Sequence, residues 1–460
     1  RCSQPVDVRN CQNELDCAMK IRTLLIELSG CGRFCNIPLS PQGVLVCGIS
    51  WLACCQAVIA AEVPATKVTY GPPAQVRFET ELITDSAGNK QAGGSGRSCW
   101  GFNQSNIVRH GEHVYAMCWR DDLHLIVFRR IGPGRWEASQ PLPKVPQNGV
   151  LLVDSRGRIH VIAGERARYH AIFDPPGQVE RFKVQRLATA DTRFGASIGT
   201  RGDILVAGGL PAMSWYLLSA ADGYTPAVSG RVPHQSWRAY YFVALEGPAA
   251  HTFCYDDYFV TGIGYQTLKT YYSYNPNVRE KPNDWRTTVV SDVSDMVDGK
   301  ARGATENEDL MIDQEGRVHL LYLKNPTPST TRWASQGQDR AKDELYHAVG
   351  KPGGPFERYL LGNFSRGRLY ETPDGRIHYL LTRGEWFNFD LWYAAGDKNQ
   401  WNVISQPIRL ETPSTIDHVF VNSTRAGGTS SAFIDCYFTG PFPGKNNNVW
   451  YGRLSLDRSE

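Results

Sequence analysis

Asp154-Ser155-Arg156-Gly157-Arg158-Ile159-His160 is a phrase that returns. It recurs as Asp313-Gln314-Glu315-Gly316-Arg317-Val318-His319 and, trimmed, as Pro373-Asp374-Gly375-Arg376-Ile377-His378. Gly111-Glu112-His113-Val114-Tyr115 and Gly202-Asp203-Ile204-Leu205-Val206 are weaker relatives. Each places a glycine in a tight turn and apolar β-formers just behind it, which is how a hairpin enters its second strand. Gly111 and Gly157 are 46 residues apart, Gly157 and Gly202 are 45, and Gly316 and Gly375 are 59. The gap of 114 from Gly202 to Gly316 holds about two units. A period of this length, with strands in every unit, predicts an all-β chain folded as one β-propeller.

A second phrase runs in step. Gly134-Arg135-Trp136, Asn283-Asp284-Trp285, Gly354-Pro355-Phe356 and Asn399-Gln400-Trp401 each set an aromatic just past a turn. Polar and apolar residues then alternate, as in Trp401-Asn402-Val403-Ile404-Ser405, the pattern of a half-exposed outer strand. Turns fall near 111, 157, 202, 258, 316, 375 and 427, those near Tyr258 and Gly427 from spacing alone. The count is seven blades; six or eight stay compatible with the spacing.

Composition bounds the function. The 460 residues are 42% hydrophobic, enough for a large core, and 49 basic residues against 46 acidic leave a net charge of +3. That balance argues against a general nucleic-acid binder. No stretch after residue 70 has long helical periodicity.

Eight of the 12 cysteines lie between Cys2 and Cys55, and an apolar run spans 43–60. Lys20, Arg22 and Arg33 precede the run and Ala60-Ala61 ends it, which reads as a secretory signal over residues 1–61 with the propeller over 62–460. The competing reading is a membrane anchor at 43–60, since the run is just long enough to span. Either predicts an exported protein, secreted or periplasmic. Cys99, Cys118, Cys254 and Cys436 remain. They form no Cys-x-x-Cys pair, and in an exported protein they can supply one or two disulfides or stay as buried thiols. His160, His319 and His378 occupy equivalent places in separate blades, so they are read as strand residues, and neither a metal nor another cofactor is expected.

From Gly101 onward the chain resembles a known group. Asn103-Gln104-Ser105-Asn106-Ile107-Val108, Val114-Tyr115-Ala116, Arg129-Arg130 and Gly134-Arg135-Trp136 are similar to the first blade of the BNR-repeat-like propellers, which include the ulvan-type polysaccharide lyases. Asp154 to His160, Ala239-Tyr240, Asp313 to His319, Glu344 to Ala348 and Gly353 to Phe356 continue the likeness, over roughly 95–455. The resemblance implies a seven-bladed propeller among exported, often carbohydrate-directed proteins. The lyase residues of that group are not retained. At the family's Gly-His-Asn stands Gln147-Asn148-Gly149, which keeps only Asn148. Arg166 stands nearest the second family histidine, with His170 slightly later. Thr192-Arg193-Phe194 replaces Thr-Tyr-Pro, and Ala207 replaces the distal arginine.

Two clusters still carry suitable chemistry. β-Elimination at a uronate needs a cation to neutralise the carboxylate, a base for the C5 proton and an acid for the leaving oxygen. Arg166-Ala167-Arg168-Tyr169-His170 holds two arginines, a tyrosine and a histidine. On an extended segment Arg166, Arg168 and His170 share one side and Tyr169 faces the other. Tyr169 and His170 are the catalytic candidates and Asn148, Arg166 and Arg168 the binding candidates; the competing reading is a basic blade edge with Tyr169 in the core. His234-Gln235-Ser236-Trp237-Arg238-Ala239-Tyr240 adds His234, Trp237, Arg238 and Tyr240, types that stack on a pyranose and bond its acids. Inter-blade packing by Trp237 is the alternative there. The expectation is a monomeric exported propeller that binds or cleaves an acidic polysaccharide, against a non-catalytic carbohydrate-binding or protein-interaction propeller.

Overall fold

Seven antiparallel four-stranded sheets succeed one another along the chain in the computed structural model. It describes residues 64–456 apart from 88–104, 146–148, 165–167, 188–193, 209–211, 236–241, 257, 261–263, 295, 298–299, 302, 328–339, 386–387 and 441–447. The signal or anchor reading of residues 1–61 lies outside the described residues.

Blade two shows the plan. Gly149–Val153 is innermost, followed outward by Ile159–Ala163, Tyr169–Phe173 and Phe182–Arg186. The first three are almost wholly buried and the fourth is half exposed, because neighbouring blades cover both faces near the axis and leave the rim to solvent. Blades one and three to six begin with inner strands Ile107–His110, Phe194–Ile198, Phe242–Glu246, Ala304–Ile312 and Arg366–Glu371.

The repeated phrases form the turns between the first and second strands. Gly157, Gly202, Gly316 and Gly375 have φ of 81°, 82°, 74° and 82°, the left-handed region open to glycine. In blade two the Asp154 carboxylate accepts the backbone N–H groups of Arg156 and Arg158 at 3.0 and 2.9 Å, and Arg158 Nε at 2.7 Å. Asp313 repeats this with Glu315, Arg317 and Arg317 Nε at 2.9, 2.7 and 2.6 Å. The fourth-blade turn is at Gly247, φ 54°, between Phe242–Glu246 and Ala249–Tyr255, not near Tyr258. Tyr258 instead opens a small hairpin, Tyr258–Val260 with Gly264–Gln266, inserted between the second and third strands of that blade. All four aromatic phrases lead into outermost strands: Arg135–Ala138, Arg286–Asp292, Phe356–Gly362 and Gln400–Ser405.

The ring closes through its chain ends. Blade seven takes Val419–Val421, Phe433–Thr439 and Val449–Leu456 from the C-terminal part and its outer strand, Val76–Thr84, from the N-terminal part. Just before that strand, Thr66–Lys67 and Thr69–Gly71 run parallel along the outer edges of blades five and six. Val68 is buried between them, and Tyr70 donates its hydroxyl to the Leu361 carbonyl at 2.5 Å.

Among the described residues the helical elements are short 3₁₀ turns at Arg340–Lys342 and Thr424–Ala426, and none is long and apolar enough to cross a membrane. Cys118, Cys254 and Cys436 are buried and no disulfide joins them to one another; Cys99 lies outside the described residues.

Candidate functional site

Strand polarity gives the ring two faces. One carries the glycine turns just described. On the other, here the far face, second strands pass to third strands and outer strands pass to the next blade. Gly149, Ala163, Tyr169 and Arg186 are in register at that edge of blade two, and Ala212 and Gln235 at that edge of blade three.

The blade-two candidates face inward. The Arg168 side chain is fully buried: its guanidinium donates to the Tyr216 hydroxyl at 2.8 Å and to the Gly164 carbonyl at 3.2 Å, and lies 4.0 Å over the Phe194 ring. His170 is fully buried too. Its Nε2 meets His160 Nδ1 at 2.9 Å, its Nδ1 meets Gln185 Nε2 at 3.2 Å, and Tyr224 packs edge-on at 4.8 Å. Arg168 and His170 thus both face blade three. Tyr169, one residue between them, is buried in the shared core of blades one to three. Burial first, then the charges near His160 and Arg158, pushes the His170 pKa well below its ordinary value. A neutral imidazole with both nitrogens engaged, closed off from solvent, is placed to hold two blades together rather than to exchange protons with a ligand. The structure thus places His170 and Arg168 in the seam between blades two and three and Tyr169 in the core beside them.

His234 lies on the outer strand Thr225–Gln235 of blade three, at its far-face end. Asn148, Arg166, Trp237, Arg238 and Tyr240 lie outside the described residues.

The repeated histidines are structural. His319 Nδ1 meets His347 Nε2 at 3.0 Å with the rings stacked at 5.1 Å, the blade-five copy of the His160–His170 pair. In blade six His378 Nδ1 meets the Tyr393 hydroxyl at 2.9 Å. No three His, Cys, Asp or Glu side chains converge as a metal-binding group among the described residues.

The charge-rich place was missed by the sequence reading. It is the central channel. Glu308 of blade five, at a bulge between Asn307 and Asp309, has its carboxylate 3.5 Å from Arg366 and 3.6 Å from Arg368 of blade six. Arg368 also donates to the Glu308 carbonyl at 2.5 Å. From the glycine-turn face, the short helical turn Thr424–Ala426 of blade seven inserts Arg425, whose guanidinium is 3.7 Å from Asp309 and 4.9 Å from the Phe242 ring centre. Ser197 of blade three donates to the Arg425 carbonyl at 2.6 Å, and Gly427 comes so close to Val153 that a Cβ would lie 1.8 Å from its carbonyl oxygen. Toward the far face are Glu306, Arg366, Tyr255 and the pair Asp417–His418, with His418 Nδ1 2.7 Å from Asp417.

Electrostatics separates these groups. Burial opposes the charge of Arg366, but Glu308, Glu306 and Asp417 outweigh it and raise its pKa. Arg368, between Arg366 and Arg425, is brought down to about 10 by burial. Burial lowers His418, against the pull of Asp417, so the ring is neutral at pH 7. The signal was legible in principle: Glu306-Asn307-Glu308-Asp309 puts three carboxylates in the first half of an inner strand whose second half, Leu310-Met311-Ile312, matches Leu151-Leu152-Val153 of blade two.

No family model matches the sequence, and no curated protein matches it. Solved structures do. A polysaccharide lyase, PL25 ulvan lyase bound to -[GlcA(1-4)Rha3S]-, superposes with a TM-score of 0.57 at 13% identity, over 81% of this chain and 95% of that one. A further structure of PL25 ulvan lyase gives 0.57 at 14% over the same shares. The polysaccharide lyase Uly1 gives 0.52 at 11%, over 84% of this chain and all of that one. At these identities the likeness establishes the propeller fold.

Proposed function

We propose that this propeller binds an acidic polysaccharide on its far face, without turnover at blade two. The observation that carries the binding reading is the match to polysaccharide-lyase propellers across 81% of the chain. Binding is preferred to catalysis at that blade in this reading because His170 is buried with both ring nitrogens engaged. Arg166, Arg238 and Tyr240 are the side chains proposed to hold the sugar acids. Export, as the apolar run at 43–60 suggests, belongs to the same proposal.

A second reading rests on the channel. His418 is neutral, backed by Asp417, and lies in the field of Arg366 and Arg368, with Tyr255 near Arg366. A neutral imidazole beside guanidinium groups is the base-and-neutraliser pair that β-elimination at a uronate requires.

One experiment tests both. The protein is incubated with ulvan, alginate and polygalacturonate, following retention in affinity electrophoresis and new absorbance from unsaturated uronate ends. Retention without absorbance supports binding; absorbance lost in His418→Ala moves the assignment to the channel. Arg238→Ala and Arg166→Ala should each weaken retention by about 1–3 kcal/mol. No retention and no absorbance on any of the three polymers overturns the proposal.

A further inference from the structure

Among the described residues the fourth strand is the edge of its sheet in blades one to four and seven. In blades five and six it is not. There the strap Thr66-Lys67-Val68-Thr69-Tyr70-Gly71 adds one more strand, in parallel. Thr66 and Lys67 stand opposite Tyr359 and Leu360, and Thr69, Tyr70 and Gly71 opposite Val403, Ile404 and Ser405. The Val68 N–H donates to the Leu360 carbonyl and the Gln406 N–H to the Gly71 carbonyl, both at 3.1 Å.

The strap covers the uncharged parts of its two edges. The outer strand of blade five carries Glu357 and Arg358 in its first half, and the strap pairs beyond them. The outer strand of blade six, Gln400–Ser405, has no charged residue. Uncovered edges carry charges or prolines that discourage pairing, such as Lys183 and Arg186 in blade two, Pro226 and Pro233 in blade three, and Arg77 and Glu79 in blade seven. Little besides backbone holds the strap. Val68 is its buried side chain and joins the core of blades five and six with Leu361 and Ile404. Tyr70 is 38% exposed, and Thr66, Lys67 and Thr69 face solvent. Pro72-Pro73 then carry the chain toward Val76, where the outer strand of blade seven begins. Two prolines have no backbone donors and stay extended, so strap and ring are joined by an arm rather than by paired structure.

We infer that the edges of blades five and six form a groove for a parallel extended segment, and that the strap of a second copy of this chain takes it by exchange. Backbone pairing, one valine and one tyrosine hydroxyl seat the strap, and a strap from another copy offers the same groups, so exchange loses no contact. Proximity alone favours the chain's own strap. A short arm gives it an effective concentration of about millimolar, so exchange is expected once the protein reaches that order. The groove is on the outer wall of the ring, and the inference stands or falls independently of the polysaccharide reading above.

Two measurements test it. The peptide Thr66–Gly71, end-capped and labelled with fluorescein, is titrated against the whole chain and against Val68→Asp, whose own strap should lift because a carboxylate is costly in an apolar core. Anisotropy should show the variant binding roughly tenfold more tightly or better than the unaltered chain, whose groove is filled. The same peptide with aspartate in place of Val68 should not bind. Sedimentation of the unaltered chain should show a dimer at millimolar concentration and a monomer at micromolar, with Val68→Asp monomeric at both. Val68→Ser, a milder change, serves if Val68→Asp folds poorly. Equal peptide binding by both chains, or none by the lifted variant, overturns the inference. So does a dimer that persists in Val68→Asp, or the absence of any dimer at millimolar concentration.

Discussion

Gly149–Val153 and Ala304–Ile312 occupy the same place in the ring, the inner strand of a blade, and both are buried along nearly their whole length. Leu151, Leu152 and Val153 are matched in register by Leu310, Met311 and Ile312, but Asp309 stands in the place of Val150, and Glu306, Asn307 and Glu308 precede it. The difference teaches that the channel of a propeller demands only to be filled. Methyl groups do this by packing. Charges do it when a neighbour supplies the opposite sign, and here Arg366, Arg368 and Arg425 supply it. The two solutions differ in how they fail.

The most damaging change should be Glu308→Ala. It leaves Arg366 and Arg368 buried without their shared carboxylate, and removing one partner of a buried ion pair costs about 3–5 kcal/mol. Urea unfolding should register this as a lower midpoint at unchanged slope. Glu308→Leu combined with Arg368→Met should recover part of the loss, because two apolar groups need no compensation. If Glu308→Ala is neutral, the polar strand is not held by its ion pairs and the comparison breaks.

Next in size is Leu151→Ala in blade two, with an expected loss of about 3 kcal/mol from transfer and cavity terms. No second substitution across the channel should rescue it, since packing loss has no charge to rebalance. Double-mutant unfolding with Arg368→Met checks this: additivity within about 0.5 kcal/mol is expected for sites without shared partners.

The smallest effect sharpens the comparison through pH. His160, His170, His319 and His347 all have pKa values lowered from the ordinary histidine value by burial. The unfolded chain therefore binds more protons below about pH 6.5, so this stability is fully present above that pH and is lost as pH falls through it. Asp313, held down to about 2 by Arg317 and His319 against burial, adds a further loss only in stronger acid. Unfolding midpoints at about pH 7.5 and 5.5 should show the decline. His160→Gln with His170→Gln, and His319→Gln with His347→Gln, should flatten it by similar amounts, because the two pairs have the same geometry in blades with opposite inner strands. Unequal changes would mean that the channel charges of blade five reach its histidines.

Legibility followed the range of the interaction. Gly157, Gly316 and Gly375 were readable because a positive φ is a local demand that glycine meets. The aromatics Trp136, Trp285, Phe356 and Trp401 were readable because each stands at a fixed step from its turn. The fourth blade was misplaced by 11 residues, from Gly247 to Tyr258, because its turn lacks the aspartate and an inserted hairpin lengthens the unit. His170 looked like chemistry because its sequence neighbours are Arg168 and Tyr169. Its actual partners, His160, Gln185 and Tyr224, come from strands that sequence proximity does not reveal.

By itself the sequence determined the repeat, the all-β class, the turn positions of most blades and the outer strands, because all of these depend on short-range backbone geometry and alternation. Only the tertiary structure decided that Arg168 and His170 are sealed between blades, and that Glu308, Arg366, Arg368 and Arg425 meet in the channel. Those outcomes depend on which strands the closed ring brings side by side. Charges from positions more than 50 residues apart, such as Glu308 and Arg366, acquire a meaning only when the low dielectric of a shared interior makes each the other's counter-ion.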